Sequence, residues 1–152
     1  MLATAPAIEE LTLGIIQDIH VNAPTDVTLE TLLEQLGPLS ESENGQPFPL
    51  KIEPWPGGRW FRDLGDNNGH FWGHVQAIKR PSLLEITGPM FMSYPVAANI
   101  QFRLTEHEGG TLIKFHHLAF GLIADEHRQN VNKGWSMIHD RVRNAAEKAA
   151  KR

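Results

Sequence analysis

Apolar and polar residues alternate along residues 11–21: Leu11, Leu13, Ile15, Ile19 and Val21 share one face, and Thr12, Gly14, Asp18 and His20 the other. A period of two predicts a strand with one buried face. Asn22-Ala23-Pro24-Thr25-Asp26 ends the strand and starts a helix, with Asn22 or Ala23 as the cap and Pro24 in the first turn, where its missing N–H is tolerated. Val27, Leu29, Leu32, Leu33 and Leu36 follow at helical spacing, so 24–36 is expected to form one broken helix or two short ones. Residues 37–49, GPLSESENGQPFP, are loop by composition. Six strands are predicted next, over 50–54, 59–65, 70–79, 82–88, 95–106 and 110–121. The short separators between them point to an antiparallel meander. From 125 to 150 the pattern turns helical again: Val131, Trp135, Ile138, Val142, Ala145 and Ala149 recur at intervals of 4, 3, 4, 3 and 4.

Strand register can be tested against this pattern. Ile78 opposite Leu83 sets Ala77 against Leu84, Val75 against Ile86 and Phe71 against Met90. His107 opposite Gly110 sets Leu104 against Ile113, Phe102 against Phe115 and Ile100 against His117. A slip of one residue would send the apolar sets to opposite faces. One concave face is therefore expected to carry Val75, Ile86, Ile100, Phe102, Phe115 and His117. The fold class that follows is α+β, with a curved antiparallel sheet and a long C-terminal helix covering its apolar face. A strongly bent sheet held off such a helix leaves room for a cavity.

Composition narrows the class. The 152 residues are 41% hydrophobic and 21% charged, which excludes a disordered chain, a coiled coil or a collagen-like repeat and suits a single domain over 1–152. Cysteine is absent, so disulfides and thiolate chemistry are excluded. No apolar run is long enough for a membrane-spanning helix, and no membrane insertion is expected. Residues 1–50 hold eight acids and no base, which fits neither a secretory signal nor a transit peptide and leads to a cytoplasmic expectation. Seven of the 14 bases fall in 128–152, but the net charge is −4 and no basic run is interleaved with aromatics, so a nucleic-acid partner is not expected.

A set of short motifs runs in order along nearly the whole chain. Ala23-Pro24 with Val27 follows the first strand, and Pro56-Gly57-Gly58-Arg59 precedes the third. Gly73-x-Val75 and Pro81-x-x-Leu84 come next, then Phe102-x-Leu104 leading to Glu108-Gly109-Gly110-Thr111, and Gly134-Trp135 in the last helix. In these features the chain resembles the START-like superfamily, also called SRPBCC, and within it the homologues of the activator of the heat-shock-chaperone (Hsp) ATPase. It departs from that pattern at Thr28, where an aromatic is usual, and in the polar loop 37–49. The resemblance implies a helix-grip fold: about seven strands, two short helices after the first strand, and a long C-terminal helix over the concave face. It also implies a ligand-holding scaffold, but no particular reaction, since this superfamily hosts carriers, cyclases and proteins of unknown role.

The candidate chemistry is sparse. His70 and His74 are expected on one strand face about 13 Å apart, too far for one ion, and no His-x-x-x-His motif exists, so no metal and no cofactor are expected. His117 stands out on an otherwise apolar strand face, as either a core histidine bonded to a carbonyl or to Tyr94, or a polar anchor in a pocket. Trp60 shares a face with Arg62, and Arg62 is either a surface ion pair or the receiver of a ligand carboxylate. Residues 88–95, an apolar loop framed by prolines, should close a pocket or form an interface. The expected ligand-binding set is Trp60, Arg62, Val75, Tyr94, Phe102, Phe115, His117, Trp135 and Ile138, with no catalytic residue. The favoured reading is a non-enzymatic binder of a small hydrophobic or aromatic molecule. A polyketide cyclase or aromatase-like enzyme, and a chaperone cofactor acting through a protein partner or a homodimer, are the alternatives.

Overall fold

The computed structural model describes residues 5–152. A short 3-10 turn, Ile8–Leu11, leads into β1 (Thr12–Val21) and α1 (Thr25–Leu36). Then come β2 (Lys51–Ile52), β3 (Arg59–Gly65), β4 (Asn68–Lys79), β5 (Leu83–Gly88), β6 (Val96–His107), β7 (Gly110–Gly121) and α2 (Asp125–Ala150). The strands form one antiparallel sheet in the order β1-β7-β6-β5-β4-β3-β2. Its inner face, α1 and α2 enclose one core, with Ile15, Ile86, Ile100, Phe102 and Phe115 on the sheet, Leu29 and Leu32 on α1, and Trp135 and Val142 on α2. This is the helix-grip arrangement.

Three local differences from the sequence pattern have physical causes. The stretch after β1 is one unbroken helix, because no glycine or proline interrupts 25–36; Pro24 occupies the cap position and Gly37 ends the helix. The β6–β7 register is the expected one, with Phe102 opposite Phe115 and Ile100 opposite His117. On β4–β5, Val75 does face Ile86, but Ile78 faces Leu84 rather than Leu83, and a bulge between Val75 and Ala77 absorbs the offset. Phe71 is also displaced from the inner face: it pairs with Phe61 of β3, is 41% exposed, and its ring lies tilted against His74 at 4.8 Å.

The long helix shows a similar small shift. Its buried residues are Val131, Trp135, His139, Val142 and Ala146, so the inward stripe runs through His139 and Ala146, with Ile138 only half-buried beside it. At about 1.5 Å per residue, 26 residues span roughly 39 Å, enough to run the length of the sheet. α2 also closes the free edge of β1. Arg128 donates to the carbonyls of Thr12 and Glu10 at 2.6 and 2.8 Å, and Arg143 donates to the carbonyl of His20 at 2.9 Å. Side chains thus occupy acceptors that an added strand would otherwise use. Among the described residues no helix is long and apolar enough to cross a membrane.

Candidate functional site

The middle of α2 meets the sheet in a floor of aromatic rings. Phe102 and Phe115, directly opposite each other, have ring centroids 4.9 Å apart, and Phe115 lies 4.6 Å from both Trp135 and His139. Trp135 and His139 stack at 5.6 Å, one helical turn apart. These rings, together with His117, are buried. At this level, then, sheet and helix are joined by side chains in contact, where the sequence pattern leads one to expect a cavity lined by the same residues and Val75.

Hydrogen bonding fixes the state of both buried histidines. The Trp135 indole N–H donates to His117 Nδ1 at 2.9 Å, so the neutral His117 carries its proton on Nε2. Its partner is therefore the indole, not a carbonyl or Tyr94. Gln17 turns its amide nitrogen to Asn132 and Ser136 and its Oε1 to His139 Nδ1 at 2.7 Å, so His139 donates from Nδ1. This leaves the His117 Nε2 proton and the His139 Nε2 lone pair buried without partners. Each such vacancy costs about 1–3 kcal/mol. Burial, reinforced by neighbouring His116, pushes His117 down to about 4; burial, reinforced by Arg143, pushes His139 down to about 3. His117 therefore has no free lone pair with which to act as a base while its bond to Trp135 stands.

A second group of rings lies toward β3, β4 and the 88–95 loop, and most of its side chains are partly exposed. Buried Trp60 donates its indole N–H to the carbonyl of Leu36 at 2.7 Å and meets the edge of Trp72 at 5.0 Å. Trp72 continues to Phe91 at 6.0 Å, Phe91 to His127 at 5.3 Å, and His127 stacks on Tyr94 at 5.5 Å. Tyr94 Oη and His127 Nδ1 share a hydrogen bond of 2.8 Å that ties the loop to the first turn of α2. On the other side, Phe48 touches Trp72, and the Arg62 guanidinium lies 4.2 Å over the Phe48 ring while donating to the carbonyl of Pro49. Trp72, Phe91, Tyr94, His127, Phe48 and Arg62 are all half-buried. We call this group the mouth.

The mouth depends on local backbone features. A register shift opposite Trp60/Phe61 puts an extra residue in β4 at Trp72, so His70 and Trp72 turn inward while His74 faces out against Phe71. The expected common face for His70 and His74 is thereby broken. Gly73 and Gly88 let the strands approach closely here: a Cβ on Gly88 would lie 2.5 Å from both Gly73 Cα and the Trp72 carbonyl oxygen. The Met90 N–H then bonds that carbonyl at 2.8 Å and starts the loop across the mouth.

Of the expected ligand set, Phe102, Phe115, His117 and Trp135 come together in the floor, and Trp60, Arg62 and Tyr94 belong to the mouth. Val75 and Ile138 join the general core. The expected set omits His139, Trp72, Phe91, His127, Phe48 and the pair His70 and Ser93, although the 88–95 loop that carries Phe91 and Ser93 is expected to close a pocket or form an interface. His139 and His127 lie four residues after Trp135 and four before Val131, a signal that extending the helical stripe would have caught. The others meet through a bulge and long-range loop contacts that spacing does not encode.

Two concavities lie elsewhere on the chain, one of them reaching His139 at the border of the floor. One groove of about 560 Å³ runs along Glu9, Glu10, Leu11, Leu122, Ile123 and Arg128, and a second of about 370 Å³ lies between β1 and α2 at Asn132, Ser136 and Asp140. Among the described residues no three metal-ligating side chains converge.

The family description "Activator of Hsp90 ATPase homolog 1-like protein" matches residues 39–147, from the loop before β2 into the last turns of α2. The chain belongs to this family. The match includes every residue of the mouth and of the aromatic floor. No curated protein matches significantly. Solved structures share the fold of this Aha1-like chain at low identity. SA2116 from Staphylococcus aureus, a protein of unknown function, is 12% identical with a TM-score of 0.69 over 96% of this chain and 100% of its own. DynU16, from the dynemicin biosynthetic locus, is 14% identical with a TM-score of 0.67 over 90% of this chain and 48% of its own. Aha1 from Colwellia psychrerythraea, determined as a dimer, is 14% identical with a TM-score of 0.64 over 89% of this chain and 96% of its own.

Proposed function

We propose that this Aha1-like chain is a non-enzymatic binding protein for a small apolar or aromatic molecule, taken up at the mouth between β3, β4, the 88–95 loop and the start of α2. The observation that carries the reading is the run of half-buried rings from Trp72 through Phe91 to His127 and Tyr94, leading outward from buried Trp60. Apolar walls with a few convergent polar groups are what a ligand site requires. A structural neighbour encoded in a biosynthetic locus is compatible with small-molecule work.

The polar groups argue against covalent catalysis. Ser93 Oγ lies 3.1 Å from His70 Nε2, but His70 Nδ1 accepts the Trp72 indole proton at 3.0 Å. The neutral His70 therefore holds its own proton on Nε2 and points it at Ser93, the reverse of what a general base would do. Tyr94 and His127 form the pair on which a cyclase-like alternative rests, since both can move a proton. A protein-partner alternative rests on exposed Ile16, Leu118, Phe120 and Leu122 at one end of the outer sheet surface.

The test is titration of the neutral dye Nile red against the folded chain, with Phe91→Ala and Trp72→Ala as variants. The parent is expected to bind, and each truncation to weaken binding by about tenfold, the scale of one lost buried ring contact. No saturable binding, or binding indifferent to both truncations, would overturn the reading.

A further inference from the structure

The mouth carries a directional chain of hydrogen bonds that ends in an unused donor. The Trp72 indole can only donate, and it donates to His70 Nδ1 at 3.0 Å. His70 is thereby fixed with its proton on Nε2, which lies 3.1 Å from Ser93 Oγ. Ser93 Oγ is thus the acceptor in that bond, and its own hydroxyl proton is left for another group. Every link runs outward, from indole to imidazole to hydroxyl.

Arg62 stands beside the start of this chain, since its Cα pairs with that of His70 across β3 and β4. The other cations around β3 are satisfied by carboxylates: Arg59 grips Glu53 and Lys51 binds Asp63 at 2.7 Å. Among the described residues Arg62 has no carboxylate within ion-pair distance. One of its N–H groups goes to the Pro49 carbonyl, and the guanidinium carbon lies 4.2 Å over the Phe48 ring. The group is oriented and partly desolvated, with donors to spare and no anion.

We infer that the mouth is selective for an aryl carboxylate, with the carboxylate received by Arg62 and the Ser93 hydroxyl and the ring packed against Trp72 and Phe91. The inference rests on the binding reading above and adds the ligand's charge class. Donors that outnumber acceptors suit an anion. A planar fork seated over a ring suits a planar anion with two oxygens. A neutral amide of the same shape would place an NH₂ against this donor set and leave it unmatched.

The experiment compares 2-naphthoate with its neutral isostere 2-naphthamide, by tryptophan fluorescence at pH 7 on the parent and on Arg62→Gln, Arg62→Lys and Ser93→Ala. The parent is expected to prefer the naphthoate by about tenfold or more, the range of one charge-assisted pair. Arg62→Gln should reduce the preference to within about twofold, and Ser93→Ala should reduce it in part. Arg62→Lys keeps the charge without the fork and should fall between parent and Arg62→Gln, which also covers the case in which Arg62→Gln does not fold. Equal binding of the two naphthalenes by the parent, or an undiminished preference in the Arg62 variants, overturns the inference and leaves the binding reading standing. Failure of Nile red and both naphthalenes to bind overturns both.

Discussion

His117 and His139 are each held neutral by burial, and this makes the fold sensitive to acid. Their folded values, about 4 and about 3, lie below the ordinary 6.5, so below pH 6.5 the unfolded chain takes up two protons that the folded chain refuses. Stability from this source is complete above about pH 7 and is lost as pH falls from 6.5 toward 3, with a slope near 2–3 kcal/mol per pH unit around pH 5. Urea unfolding across pH 4–8 should show that slope, and His139→Leu should roughly halve it. An unchanged slope in the variant would assign the acid sensitivity to other groups. Trp135 acts on the same pair. Trp135→Phe keeps most of the ring but removes the N–H that His117 accepts, and is expected to cost about 2–3 kcal/mol. Trp135→Ala should cost about 3–5 kcal/mol through the cavity it leaves. A loss under about 1 kcal/mol for Trp135→Phe would mean that the indole bond contributes little.

At the level of elements, legibility depends on whether a turn leaves slack. The β6–β7 register is readable from sequence because only Glu108 and Gly109 separate the strands, both with positive φ, so no residue can be absorbed. β4 is not readable to the same degree, because it bulges near Gln76 and near Trp72, and each bulge reverses which side chains face inward. The aromatic floor is legible as a face of alternating residues together with Trp135. The mouth is not, since Ser93 reaches His70 and Tyr94 reaches His127 from more than twenty positions away, through a loop without periodicity. The Gly73–Gly88 approach gives a test of how the mouth is built. Gly88→Ala places a methyl group against backbone rather than against a movable side chain, and should destabilise the chain by at least about 1–3 kcal/mol. It should also weaken Nile red binding, because the 88–95 loop begins at this contact. Wild-type dye affinity in a folded Gly88→Ala chain would show that the loop is positioned independently.

In the whole molecule, α2 fastens both ends of the first strand as well as covering the core. Arg128 and Arg143 grip the first strand near its two ends, and Glu147 accepts the backbone N–H of Asn22. The double variant Arg128→Ala/Arg143→Ala should keep the fold but bare the edge acceptors of β1, and light scattering should then rise with protein concentration. Scattering equal to the parent would show that the edge needs no such cover. The topology also sets a timetable for synthesis. Ile15 pairs with His117, so the first strand emerges about 100 residues before its one strand partner among the described residues. At roughly 5–20 residues per second the delay is on the order of 5–20 s. Throughout it Ile15, Ile19 and Val21 lack the strand they pair with in the finished sheet. A chain arrested after His107 should therefore be cut readily within residues 12–21 by a protease that spares the same segment once α2 has emerged; protection in the shorter chain would mean that the first strand finds an earlier shelter.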